Sequence, residues 1–151
     1  MESRPRYLTN TGLPARILLA EDDEEFRSLV AATLRRDGHS VIEAVDGTEF
    51  VDLLAESLVA GRIDRVFDLI ITDIRMPGYS GLDVLHAAQS TGTSPPVLVI
   101  TAFGDQRLHE RARRLGSVGT LDKPFDMGVL RRLVLDTLRE SVSLGQRTES
   151  S

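Results

Sequence analysis

The chain has 151 residues, 41% apolar and 27% charged, with a net charge of −5 and no cysteine. That length can bury one real core; the acidic balance gives no electrostatic basis for binding nucleic acid or an anionic membrane, and disulfides and thiolate metal sites are excluded. No apolar stretch is long enough to span a bilayer and residues 1–11 lack the apolar core of a secretory signal, so the expected compartment is the cytoplasm.

Residues 1–14, with Pro5, Gly12 and Pro14, read as a loose leader. The first apolar run, Ile17–Ala20, predicts a strand, and Phe26, Leu29, Val30 and Leu34 then recur at helical steps until Gly38. His39–Val45 predicts a second strand. Asp46-Gly47-Thr48-Glu49 has the pattern of a capping box before a helix through Phe50, Leu53, Leu54 and Leu58. The link from Gly61 to Val66 is long for a helix-to-strand connection and is left open between a helix extension and a surface insertion. Phe67–Thr72 is the third predicted strand. Pro77-Gly78 marks a turn, and Ser80-Gly81-Leu82-Asp83 a second cap before a helix to Ala88. Val97–Thr101 is the fourth strand, followed by a helix from Asp105 to Leu115. Thr120–Asp122 is a short fifth strand, and Asp126 caps a last helix with Leu130, Leu133, Val134 and Leu138 on its buried side. The folded unit is therefore 15–140, and 141–151 reads as a loose tail. Strands alternating with helices predict an α/β fold, a doubly wound five-stranded parallel sheet, which binds ligands beyond the carboxyl ends of its strands.

Polar residues gather at those strand ends. Glu21 and Asp22 follow the first strand, Asp73 the third and Thr101 the fourth, while Lys123, the only lysine in the chain, follows the fifth. Each has an ordinary alternative. Glu21–Glu25 can be a solvated acidic first turn favoured by the helix dipole, Asp73 a turn initiator, and Thr101 a common strand residue. Together they form a kit for phosphoryl transfer: a carboxylate acceptor, an acid pair suited to Mg²⁺, a hydroxyl and an ammonium that neutralise phosphoryl oxygens.

The stretches Ile17-Leu18-Leu19-Ala20-Glu21-Asp22-Asp23, Asp73-Ile74-Arg75-Met76-Pro77-Gly78, Val99-Ile100-Thr101-Ala102 and Lys123-Pro124-Phe125 resemble the receiver domains of two-component response regulators. The resemblance covers 15–140 and implies a flavodoxin-like sheet of strand order 2-1-3-4-5. It implies that Asp73 takes a phosphoryl group from a phosphohistidine of a sensor histidine kinase or histidine phosphotransfer protein. It implies Mg²⁺ held by Asp22, Glu21, Asp73 and the backbone carbonyl of Arg75, with Thr101 and Lys123 on the phosphoryl group, and a Lys123–Pro124 bond that is cis. Output would pass to a protein target through the last two helices and the fifth strand, with homodimerisation open. The chain would catalyse only its own phosphorylation and dephosphorylation. With few residues after Glu140, a single-domain regulator without a DNA-binding segment is expected.

At one place the chain departs from that pattern. Three residues before the lysine, where receivers carry an aromatic, stands Thr120. The expectation is a rearrangement confined to the loop 102–105, with Phe103 shielding the phosphoryl group. Two rival readings remain. A Mg²⁺-dependent phosphohydrolase with Asp73 as nucleophile would place a second acid two residues on, where Arg75 stands. A phosphorylation-independent binding module would not need every acid, the threonine and the lysine. His39, His86 and His109 show no metal-ligand spacing and read as surface or satisfied residues. Arg107, Arg111, Arg113 and Arg114, with Arg131 and Arg132, read as a solvated face or a partner surface.

Overall fold

The computed structural model describes residues 14–102 and 106–150, with side chains described as far as Ser141. Five strands, β1 (Arg16–Ala20), β2 (Ser40–Ala44), β3 (Leu69–Asp73), β4 (Val97–Ala102) and β5 (Gly119–Lys123), form one sheet of order β2-β1-β3-β4-β5. Every pairing is parallel. The three central strands are buried almost throughout, while β2 and β5 alternate with solvent. That is the pattern of a parallel sheet covered on both faces.

The helices are α1 (Glu24–Arg36), α2 (Gly47–Val59), α3 (Ile63–Val66), α4 (Gly81–Ser90), α5 (Gln106–Arg114) and α6 (Met127–Ser150). One face of the sheet packs Leu18, Ile70 and Val99 with Phe50, Leu85 and Ala112. The other packs Ile17, Ile71 and Ile100 with Val30, Leu34 and Val134. Arg131 of α6 forks onto both carboxylate oxygens of Asp37 at 2.8 Å, tying the end of α1 to α6.

Local signals act largely as the sequence implies. After α1, Gly38 takes φ +97°, and His39 N–H donates back to the Leu34 carbonyl, closing the helix. Ser80 and Asp83 form a complete capping box. The other box is off by one residue: Glu49 N–H donates to Asp46 Oδ1, but the Glu49 carboxylate accepts from Val45 N–H.

Three expectations change. The long link contains the separate helix α3, whose fully buried Ile63 joins the core and whose Asp64 N–H donates to the Thr93 carbonyl. Leu29 is 52% exposed, and the buried stripe of α1 runs through Val30, Ala31, Thr33 and Leu34. The backbone is helical to Ser150, beyond the expected end at Glu140. Extending a helix already nucleated and packed adds a hydrogen bond per residue without a new nucleus.

Candidate functional site

Glu21, Asp22 and Asp73 meet at the carboxyl end of the sheet, because β1 and β3 are neighbours and end in register. One carboxylate oxygen from each lies within 4.8 Å of the others. Glu21 and Asp73 are buried, whereas Asp22 is exposed at the mouth. Beside them a cleft of about 600 Å³ is lined by Asp22, Arg75, Met76, Pro77 and Ser80 among others.

Neighbouring residues fix Asp73 and Glu21. Arg75 N–H donates to Asp73 Oδ1 at 3.0 Å, turning the backbone just after the strand. Gly81 begins α4 against the same point: a Cβ there would sit 2.2 Å from the Asp73 carbonyl oxygen, so only glycine permits this approach. Arg27 of α1 donates to the Glu21 carbonyl at 2.9 Å and pairs with Glu43 at 3.1 Å. Asp23 plays a separate part, capping α1 by accepting from Phe26 N–H at 3.2 Å, with Glu24 and Glu25 in the first turn. The ordinary reading of those three acids therefore holds.

Lys123 reaches the acids from β5. Its ammonium bonds to Glu21 and, at 2.7 Å, to Asp73 Oδ2. It also lies 4.5 Å from the centre of the Phe26 ring, which stands edge-on to Phe125 at 5.5 Å. The Lys123–Pro124 bond is cis. Burial pulls the ammonium pKa down, but the bonds to Asp73 and Glu21 outweigh it and hold the pKa above its ordinary value. Burial pushes the Glu21 carboxyl up to about 7, against the Lys123 bond that lowers it and with the nearby Asp73 that raises it. Glu21 and Asp73 thus share one ammonium with Asp22 beside them, a deficit of positive charge that a hard cation with oxygen ligands corrects.

Thr101 is fully buried at the end of β4, next to β3. Its hydroxyl donates to Asp122 Oδ1, across from it in the β4–β5 register, and lies 3.3 Å from His109 Nε2. His109 and Asp122 are polar partners that the sequence reading missed. Residues two apart on a strand share a face, so Thr120 and Asp122 flank Thr101 together, but nothing in the sequence shows that the following helix brings an imidazole to them. Of the two readings open for His39, surface or satisfied, the second holds: it is buried, and its Nδ1 accepts from Ala15 N–H at 3.0 Å. Phe103 and the rest of 103–105 lie outside the described residues, as does the expected cap at Asp105.

Residues 17–135 match the response regulator receiver domain family. The chain belongs to that family. Transcriptional regulatory protein PdtaR of Mycobacterium tuberculosis is 35% identical over 127 residues, covering 83% of this chain and 58% of the relative. Transcriptional regulatory protein CpxR of Escherichia coli is 35% identical over 126 residues, covering 83% and 50%. The chain thus spans between half and three fifths of the length of these curated relatives. Among solved structures, chemotaxis protein CheY4 of Vibrio cholerae superposes with a TM-score of 0.70 at 28% identity, covering 82% of this chain and 98% of that one. The fold is accordingly the flavodoxin-like receiver fold, as its strand order requires.

Proposed function

We propose that this receiver accepts a phosphoryl group on Asp73 from the phosphohistidine of a sensor histidine kinase or histidine phosphotransfer protein. The observation that carries the reading is the meeting of Glu21, Asp22 and Asp73 within 4.8 Å under a single lysine. In the transfer, a carboxylate oxygen of Asp73 forms the new P–O bond while the P–N bond breaks, and the imidazole keeps the electron pair. Glu21, Asp22, Asp73 and the Arg75 carbonyl are the oxygen donors for Mg²⁺. These hard oxygens, three of them from carboxyl groups, fit that ion, which when bound offsets the charge of the acids and the incoming phosphate. Lys123 neutralises a phosphoryl oxygen, and Thr101 donates to another.

Beyond its own phosphorylation and dephosphorylation no turnover is assigned. Signalling proceeds by protein contact that depends on phosphorylation, through α5, β5 and α6, where Arg107, Arg111, Arg113, Arg114 and Arg132 are exposed. The site of action is the cytoplasm, consistent with the lack, among the described residues, of a helix long and apolar enough to cross a membrane.

The test is incubation with acetyl phosphate and Mg²⁺, with the adduct mapped by mass spectrometry. One phosphoryl group on Asp73 is expected, lost with EDTA and absent from Asp73→Asn. Labelling that survives in Asp73→Asn would overturn the assignment.

A further inference from the structure

The proposed function needs the Thr101 hydroxyl to donate to a phosphoryl oxygen on Asp73, yet here that proton is already committed. Thr101 Oγ1 donates to Asp122 Oδ1. The same oxygen lies 2.6 Å from His109 Nε2, and the other ring nitrogen, Nδ1, lies 3.4 Å from Thr120 Oγ1. One tautomer of a neutral imidazole satisfies the row: Nε2–H donates to Asp122, and the Thr120 hydroxyl donates to the bare Nδ1. A hydroxyl has a single proton, so Thr101 cannot serve Asp122 and a phosphoryl oxygen together.

We propose that Asp122 and His109 form a latch that holds Thr101 away from the phosphoryl site, and that phosphorylation of Asp73 opens it by drawing the Thr101 proton off Asp122. This rests on the function proposed above. Asp122 is a positioning residue for Thr101, and His109 is one for Asp122. The bond from a hydroxyl to an ionised acceptor is of the stronger kind, so the latch favours the resting arrangement. Opening it is affordable, because the Asp122 side chain is 42% exposed and water can take the place of the hydroxyl. A phosphoryl group shifts the balance only through what it offers Thr101 in one arrangement and not the other.

The latch also carries the change outward. His109 belongs to α5 and Thr120 to β5, and both line a pocket of about 290 Å³ with Gln106, Glu110 and Arg113. Thr120 occupies the place of the usual aromatic, and the ring beside it comes from α5. When Thr101 leaves, Asp122 keeps its bond to His109. The imidazole therefore reports the state of Asp73 at the surface between α5 and β5.

Two measurements test this. The first is the rate of Asp73 labelling by acetyl phosphate and Mg²⁺ in the native chain, Asp122→Ala, Thr101→Val and the double variant. Asp122→Ala is expected to label about three- to tenfold faster, less than a fully buried hydrogen bond to a charged group would give, because water already reaches Asp122. In the Thr101→Val background the same change should do nothing, since no proton remains to release. His109→Leu should give part of the acceleration, and His109→Gln, which restores a donor, should return the native rate. The second is ¹⁵N NMR of the His109 ring in the native chain, whose Nε2 signal is expected to shift when Mg²⁺ and beryllofluoride are added. An Asp122→Ala rate within twofold of native, equal acceleration in the Thr101→Val background, or an unmoved His109 signal would overturn the latch while leaving Asp73 as acceptor. Failure of the native chain to label at Asp73 would overturn the proposed function and the latch with it.

Discussion

Lys123→Met removes the ammonium while keeping an unbranched side chain beside Phe26. The side chains of Glu21 and Asp73 are exposed by only 1% and 5%, and that of Lys123 by 24%. Removing one member of a buried ion pair leaves uncompensated charge and costs about 3–5 kcal/mol. Because the lysine is partly solvated, the low end of that range, about 3 kcal/mol, is expected at pH 8 without metal. The cost must depend on pH. The folded protein holds the Glu21 proton more tightly than the unfolded chain, with a pKa near 7 against 4.5. The stability this gives is fully present below the unfolded pKa and is lost as pH rises through the folded one. Without the Lys123 bond, which pulls that pKa down, the proton is held more tightly still. At pH 5 Glu21 is therefore neutral in the variant, only Asp73 lacks its partner, and the penalty falls to roughly half. For a chain of this size 1 kcal/mol moves Tm by about 2–4 °C, so losses of about 6–12 °C at pH 8 and half that at pH 5 are expected. The assay is thermal unfolding followed by circular dichroism in EDTA at both pH values. A loss that is the same at both, or under about 2 °C at pH 8, would refute the reasoning. Adding Mg²⁺ should then stabilise the variant more than the native protein, where an ion must compete with the ammonium for the same oxygens.

Asp22→Ala should weaken Mg²⁺ binding far more than Asp23→Ala, which should instead lower stability by about 1 kcal/mol through the lost cap of α1; equal losses in a Mg²⁺ titration would place the ligand one residue off. Gly81→Ala should drive α4 from the end of β3, lowering stability by more than about 2 kcal/mol and slowing Asp73 labelling, because its Cβ would meet backbone that cannot move aside; native melting and labelling would contradict this close approach. His39→Leu leaves the Ala15 N–H without an acceptor and should cost about 1–3 kcal/mol at pH 8. Burial lowers the His39 pKa, so the native protein should lose stability as pH falls below the ordinary histidine value, and the variant should lose less over that window in urea titrations.

The sheet and its acids were legible in the sequence for one physical reason. A central parallel strand is apolar on both faces, so Ile17–Ala20, Leu69–Thr72 and Val97–Ile100 stand out as runs, and a polar residue at the end of each is conspicuous. The edge strands carry weaker signals. β2 has Ile42 exposed at 47%, and β5 offers Leu121 as its one buried apolar residue. The small helix α3 was illegible because a single turn has no periodicity; its anchor, Ile63, is one apolar residue in a polar link. The chemistry of Asp22 against Asp23 could be separated only by register, and the structure separates them by task, one facing the other acids and one capping a helix.

What the sequence could not supply is the company of Thr101. Three of the four groups in its network lie on β4 and β5, where pairing and alternation put Thr101, Asp122 and Thr120 together. The fourth, His109, comes from a helix whose rotation against the sheet is set by the packing of Ala112 and by the polar contacts of the ring itself. In this arginine-rich helix the apolar stripe is narrow: Ala112 is buried, and Leu108 and the following Leu115 are partly buried against the same core. The bond between His109 and Asp122 is a polar tie from α5 to β5, and it adjoins the Thr101–Asp122 bond that the phosphoryl group must break. A histidine on this helix that is tied to Asp122 is placed to respond when the Thr101 proton leaves that carboxylate. In this chain the lost aromatic at Thr120 and the imidazole of His109 belong to one arrangement: with no large ring on β5 to move inward, a change at Asp73 can reach the surface through the helix whose histidine already touches its network.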